Sequence, residues 1–285
     1  MARGQSIHIG LNSVDPDQYG GWSGDLTACE FDAEDMRAIA EDGGFESTTL
    51  LTAEATSDAV FAALEKSAQD LHSGDTLLLT YSGHGGQIPD TTGDEPDAQD
   101  ETWVLYDRQV LDDELNHIYS GFAAGVRIAV FSDSCHSGSV TRLAPPVPAG
   151  TGGIPVQISE PASVGARTRA MPPALAQRDF LRRKALYESI SQEMPKTKDR
   201  EQERAAQACI VLISGCQDNQ VSLDGTHNGL FTATLLTVWN GGQFLGGYPR
   251  FRSAITSRMP QTQTPRLSVT GTPNIPFIYG RPFTY

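Results

Sequence analysis

Residues 127–139 read RIAVFSDSCHSGS, and residues 76–87 read TLLLTYSGHGGQ. Each begins as a short apolar run of strand length and ends abruptly in Ser, Gly, Asp and His, the composition of a turn. Runs of the same kind occur at Ser6–Leu11, Ser47–Leu51, Thr102–Tyr106 and Ile210–Ser214. Most of them are apolar enough to be buried on both faces. Between them lie helical stretches at about Cys29–Asp42, Ser57–His72 and Asp112–Phe122, with Thr56 placed to cap the second. This alternation predicts an α/β fold with a central, mostly parallel sheet flanked by helices. Ligands of such sheets bind beyond the carboxyl ends of the strands, which is where the two quoted stretches leave His84 and Cys135.

The pairing of those two residues carries chemistry. A histidine on one loop can take the proton of a cysteine on the other, and the resulting thiolate attacks a carbonyl carbon. Glycines beside both residues let backbone come close to a substrate. The N–H groups of Gly85 and Cys135 are then candidates to stabilise the oxyanion of a tetrahedral intermediate.

The motifs YSGHGG (81–86) and DSCHSGS (133–139) resemble the histidine and cysteine motifs of the caspase-like peptidases. The likeness is specifically to metacaspases and their prokaryotic relatives, the orthocaspases. The distance from His84 to Cys135 agrees with the roughly 50 residues between the corresponding residues of caspases. The resemblance covers about Gln5 to Arg142 and resumes at CIVLISGCQDNQVSLDG, residues 209–225. It implies a caspase-hemoglobinase fold, with Cys135 as nucleophile and His84 as general base and acid. It also implies a pocket for the substrate's first residue formed by Asp133, Ser82, and Cys29 with Asp32 of a Cys-x-x-Asp. Carboxylates in a partly desolvated pocket orient a guanidinium or ammonium, so the expected cut follows Arg or Lys. An aspartate side chain would be repelled there. Animal caspases, which cut after aspartate, differ in placing their nucleophile in a Gln-Ala-Cys context. His136 is read as a support of the loop.

Relatives of this type often use calcium. The resemblance therefore makes Asp97, Asp100, Asp112 and Asp113 candidate calcium ligands, within an acidic stretch that also holds Asp94, Glu95 and Glu101. The family has an aspartate seven positions after the nucleophile, where this chain carries Arg142. Aspartates at 112 and 113 also suit a helix N-terminus with no metal. No organic cofactor is implied.

The 285 residues include 21 basic and 35 acidic ones, for a net charge of −14, and most of the acid precedes Arg142. An acidic body disfavours nucleic acid and anionic membranes, which need clustered Lys and Arg, and favours protein or peptide substrates with basic residues. No apolar run is long enough to cross a bilayer. The start MARGQSIHIG lacks the pattern of a secretory signal, so a cytoplasmic location is expected. Cys29, Cys135, Cys209 and Cys216 show no CxxC spacing and read as thiols.

Three stretches organise the chain: residues 1–142 as a large catalytic part, 143–208 as a Pro-rich and basic linker, and 209–285 as a smaller part completing the fold. The linker contains a helical stretch at about Ala174–Met194, and helices are also expected at Leu230–Trp239 and Phe251–Met259. Its Arg167, Arg169, Arg178, Arg182, Arg183, Lys184, Lys196, Lys198 and Arg200 are candidate self-cleavage points, and sequence alone selects none of them. The sequence thus reads as a cysteine endopeptidase. Two other readings stay open: an idle caspase-like scaffold that binds a partner through its acidic face, and a peptidase of aspartate preference, for which no basic pocket residues are found.

Overall fold

In the computed structural model, residues 2–90, 99–135, 167–193, 207–216, 220 and 222–285 are described. The main sheet has six strands: β1 (Gly4–Gly10), β2 (Glu46–Leu51), β3 (Thr76–Ser82), β7 (Arg127–Asp133), β8 (Cys209–Ser214) and β9 (Arg266–Gly271). Their spatial order is β2-β1-β3-β7-β8-β9, all neighbours parallel except the antiparallel edge pair β8 and β9. This is the central, mostly parallel sheet that strand and helix alternation predicts.

The pleat explains the apolar runs. In TLLLTYS, Leu77 and Leu79 face one layer and Leu78 the other. On the first face they meet Val60 and Leu64 of α2 (Ser57–Asp70) and Leu115 and Tyr119 of α3 (Asp112–Ser120). On the second face lie Met36 and Ala40 of α1 (Cys29–Asp42), Phe231 and Leu235 of α6 (Leu230–Trp239), and Phe251 and Ile255 of α7 (Tyr248–Thr256). Burial on both faces is why these strands read as continuous apolar runs. Strand β2, at the sheet's edge, is half exposed and departs from that rule. The Thr56 hydroxyl does accept the Ala59 N–H at the start of α2, at 3.3 Å.

A second, antiparallel sheet was not legible. The Thr102–Tyr106 run belongs to β5 (Gln99–Val104), which pairs with β4 (Gly85–Pro89) and β6 (Gln109–Leu111), apart from the parallel sheet. Strand β4 starts immediately beyond His84, where the Gly-Gly pair gives no strand signal. Gly85 is required sterically: a Cβ there would lie 1.7 Å from the Cys135 carbonyl oxygen. The small sheet is fixed to the large one by Trp103 stacking on Tyr81, ring centroids 4.3 Å apart.

The expected helix at Ala174–Met194 is two helices, α4 (Pro173–Arg182) and α5 (Lys184–Glu193). The chain bends at Arg183, whose guanidinium pairs with Asp179 and reaches the Asp107 carbonyl at 2.6 Å. The bend lets Phe180 and Tyr187 stack together and cover Ile88 and Leu111 of the small sheet. Strand β9 and the short α8 (Ile275–Ile278) fall in the Pro-punctuated tail, where sequence shows no element. All four cysteines are free thiols. Among the described residues, no helix is long and apolar enough to cross a membrane.

Candidate active site

Parallel register places the two key loops side by side. Ser82, the last residue of β3, is paired with Asp133, the last residue of β7. The loops that follow therefore leave the same edge of the sheet, carrying His84 and Cys135. The His84 loop is held by Tyr81, whose hydroxyl donates to the carbonyls of His84 (2.7 Å) and Val104 (3.1 Å).

His84 is buried against the Trp22 ring, centroids 4.9 Å apart, with Nε2 2.8 Å from the Gly24 carbonyl oxygen. A carbonyl only accepts, so Nε2 carries the hydrogen and Nδ1 keeps its lone pair. Nδ1 is buried and has no hydrogen-bond partner among the described residues. Burial pulls the imidazole down to about 4, so it is neutral at pH 7. The Cys135 thiol is also buried, and it faces Ser222: the Ser222 N–H donates to Sγ at 2.9 Å. Cys135 and His84 are not hydrogen-bonded to one another in this state.

The pocket beside them holds a residue of the same chain. Arg169 is fully buried, and its guanidinium meets three carboxylates: Asp32 at 2.7 Å, Asp133 at 2.9 Å and Asp224 at 3.0 Å. It also donates to the Ser82 hydroxyl at 2.8 Å. Each carboxylate has further donors. Asp32 accepts from the Gly229 N–H and the Ser82 hydroxyl, Asp133 from the Thr232 N–H and hydroxyl, and Asp224 from the Thr27 and Ala28 N–H groups. These donors offset part of the cost of burying the carboxylates. Even so, burial raises Asp32 to about 6, against the opposing pull of Arg169.

Of the residues read from sequence, Asp133, Ser82 and Asp32 converge on this guanidinium. Cys29 lies in the same buried region but makes no ion pair there, and burial pushes its thiol up to about 12. The Gly85 and Cys135 N–H groups also converge, and both donate to the Arg169 carbonyl oxygen, at 2.9 and 3.3 Å. Three contributors were missed. Asp224 stands in the SLDG already noted, but nothing local distinguishes it from a turn aspartate. Ser222 touches Cys135 through its N–H and Asp133 through its hydroxyl, at 2.5 Å. Gly229 forms a wall, since a Cβ there would lie 2.6 Å from the Arg169 guanidinium.

Asp100, Asp112 and Asp113 are buried near the small sheet. Among the described residues, no group of three or more His, Cys, Asp or Glu side chains is placed to hold a metal ion. Asp94, Glu95, Asp97, His136, Arg142, Lys196, Lys198 and Arg200 lie outside the described residues.

A buried thiol and a neutral imidazole at the ends of adjacent parallel strands, beside an acidic pocket, define a caspase-type site. The family model for the caspase domain, Peptidase_C14, matches residues 14–274, and the chain belongs to that family. Metacaspases are among its curated relatives. Metacaspase-1 of Mycosarcoma maydis is 30% identical over 249 residues, covering 80% of this chain and 59% of that protein. Metacaspase-1 of Saccharomyces cerevisiae strain S288c is 30% identical over 258 residues, covering 82% and 57%. The chain thus spans little more than half the length of these relatives. Among solved structures, protein GSU0716 from Geobacter sulfurreducens is 48% identical with a TM-score of 0.83, over 99% of this chain and 98% of that one. Caspase-1 from Spodoptera frugiperda shares the fold at 14% identity, with a TM-score of 0.54 over 95% of this chain and 86% of that one.

Proposed function

We propose that this chain is a cysteine endopeptidase that cleaves proteins after Arg or Lys, with Cys135 as nucleophile and His84 as general base and acid. The observation that carries the reading is the seat of Arg169: a guanidinium among three carboxylates, with its own carbonyl oxygen on the N–H groups of Gly85 and Cys135. A substrate arginine taking that seat has its carbonyl group beside the thiol. A lysine ammonium satisfies the same carboxylates with fewer hydrogen bonds.

The steps follow from the groups present. The thiol turns from Ser222 toward His84, whose Nδ1 has the free lone pair to accept its proton. Sγ attacks the carbonyl carbon, and the oxyanion rests on the N–H groups of Gly85 and Cys135. His84 returns the proton to the leaving amine, and water activated by the same imidazole releases the acyl group from Sγ. Base, nucleophile and oxyanion donors all come from the chain, so this route needs no organic cofactor.

Matched fluorogenic peptides ending in Arg, Lys or Asp test the reading, with Cys135→Ala as the blank. Turnover of Arg and Lys peptides that vanishes in the blank is expected. Turnover confined to Asp overturns the pocket assignment, and none with any peptide returns the idle scaffold. Paired assays with calcium and with a chelator address the acidic stretch around Asp97.

A further inference from the structure

We propose that Trp22 and, behind it, Arg183 are positioning residues for His84: the Arg183 guanidinium clamps the loop between β1 and α1, and that loop's indole fixes the aim of the imidazole. The proposal rests on the reading of His84 as the base of a cysteine endopeptidase.

The loop, residues 11–28, contains no helix or strand, and connections of that length inside a compact fold usually serve function. It closes on itself through the Val14 N–H to the Ser23 carbonyl at 2.9 Å and the Leu26 N–H to the Asn12 carbonyl at 2.8 Å. That closure brings two groups onto His84, the Trp22 ring and the Gly24 carbonyl. Gly24 lies in the left-handed region at φ 58°, where a Cβ would stand 2.9 Å from the indole and 3.1 Å from the imidazole. Backbone, indole and imidazole are thus packed together with no room for a side chain between them.

The hydrogen bond at Nε2 fixes one atom of the imidazole. The indole packed against the ring blocks the rotation about χ2 that would exchange Nδ1 with Cδ2. It also shuts water out from that side, adding to the burial that pulls the imidazole down to about 4. The charged groups that act on His84 are Arg169, which pulls the same way, and Asp224, which opposes it together with the Gly24 carbonyl.

Trp22 is held in turn. Tyr19 stands edge-on to it, ring centroids 6.0 Å apart, with the Tyr19 hydroxyl donating to the Leu105 carbonyl at 2.7 Å. The Arg183 guanidinium lies over the Tyr19 ring, 5.7 Å from its centroid and within cation–π range. It also donates to the Gln18 carbonyl at 3.1 Å and to Gln18 Oε1 at 2.9 Å. An arginine that served only the bend between α4 and α5 would be satisfied by Asp179 and the Asp107 carbonyl. The further contacts, to Gln18 and Tyr19, all fall on the loop that carries Trp22. Neighbouring Lys184 pairs instead with Glu188, at 3.4 Å. No bond is made or broken by Tyr19, Trp22 or Arg183, and their contribution is preorganisation of the base.

The test uses the full-length chain and an Arg-terminated fluorogenic peptide, with active sites counted by an irreversible Arg-based inhibitor so that kcat refers to competent molecules. NMR of the His84 ring carbons, assigned with His84→Gln, reads tautomer and protonation directly. The parent chain should show the Nε2–H tautomer and titrate at about 4. Trp22→Ala should lower kcat by about 30- to 100-fold with KM little changed, since a displacement of about 1 Å can cost about 10²-fold. Its His84 should titrate at higher pH, because water then reaches the ring. Trp22→Phe should restore most of kcat. Arg183→Gln should lower kcat by about fivefold and move the His84 signals the same way. Arg183→Lys should do so less, and Lys184→Gln not at all. Combining Trp22→Ala with Arg183→Gln should cost no more than Trp22→Ala alone, because the arginine acts through the indole.

An Nδ1–H tautomer in the parent chain overturns the proposal whatever the variants do. So does a Trp22→Ala chain whose kcat and His84 signals match the parent. If Trp22→Ala fails to fold, Arg183→Gln and the parent's tautomer decide. An Arg183→Gln chain that only unfolds at lower temperature, with His84 unmoved, overturns the clamp and confines the arginine to the bend. Absence of peptide turnover in the parent overturns the peptidase reading, and the NMR measurement then still decides whether the loop fixes the ring.

Discussion

Gly229 and Arg169 are in steric register: a Cβ on the glycine would meet the guanidinium carbon and both terminal nitrogens at 2.6 Å. The glycine also donates its N–H to Asp32, so it forms the wall of the pocket and holds one of its charges. Gly229→Ala should therefore reduce kcat/KM for Arg peptides by about 5- to 150-fold, as overpacking costs of about 1–3 kcal/mol imply. Lys peptides, with a slimmer head group, should lose less. Comparing the two substrates on one preparation checks the wall.

Asp224 supplies the third carboxylate, from a segment remote in sequence from Asp32 and Asp133. Replacing it with Asn keeps the shape and removes one charge that is almost fully desolvated. Losing one partner of such a pair costs about 2–5 kcal/mol, so Asp224→Asn should lower kcat/KM for Arg peptides by roughly 30-fold or more, mostly through KM. Thermal unfolding measured in parallel separates this from loss of the Thr27 and Ala28 hydrogen bonds.

The pH profile should report Asp32 rather than His84. His84, pulled down to about 4 by burial, is neutral and able to accept a proton throughout the neutral range. Asp32, raised to about 6 by burial, loses its charge as pH falls through that value, and with it part of the hold on a cationic side chain. Arg169 opposes the rise, so a pocket it has vacated titrates no lower. The acid limb of kcat/KM for Arg peptides is expected at about 6 or above, and Asp32→Asn should move it downward while reducing the plateau. A limb that stays in place in that variant contradicts the assignment.

Acid stability should depend on His8, a buried residue of β1 whose Nδ1 lies 2.9 Å from the hydroxyl of Thr80 on neighbouring β3. Burial, aided by Arg37, pulls its pKa from 6.5 to about 3. The unfolded chain therefore binds a proton that the folded chain refuses between those values. Folding stability contributed by the neutral ring is complete above 6.5 and is lost as pH falls toward 3. At about 1.4 kcal/mol per pH unit this approaches several kcal/mol. Denaturant unfolding at pH 7 and 4.5 should show a smaller loss on acidification for His8→Gln than for the parent chain.

The sheet and the two loops were legible because each rests on a local signal. TLLLTYS and RIAVFSD are apolar on both faces, and their ends carry chemistry in consecutive residues. Boundaries of β3, α1 and α6 fall where the sequence places them. The small antiparallel sheet was hidden because β4 opens with two glycines and β6 is three residues long, so their strand character comes from pairing with β5. The helix break at Arg183 has no Gly or Pro to announce it and follows from packing Phe180 and Tyr187 over the small sheet. Asp32, Ser82 and Asp133 came from motif positions. Asp224, Ser222 and Gly229 are functional only by proximity, which a single sequence does not record.

The acidic pocket draws its three carboxylates from helix α1, the end of strand β7 and the segment that follows β8. Asp133 stands two residues before the nucleophile and is tied to Ser222, which also donates to the thiol. On the proposed reading, a preference for basic residues is therefore not an interchangeable module. Converting it to a preference for acidic ones would require charge removal in three separate stretches, one of them next to the nucleophile, and any single substitution would leave two carboxylates facing the incoming side chain. A route through one-step changes crosses intermediates that are poor at both tasks, which gives this architecture a built-in resistance to evolutionary drift in what it cuts.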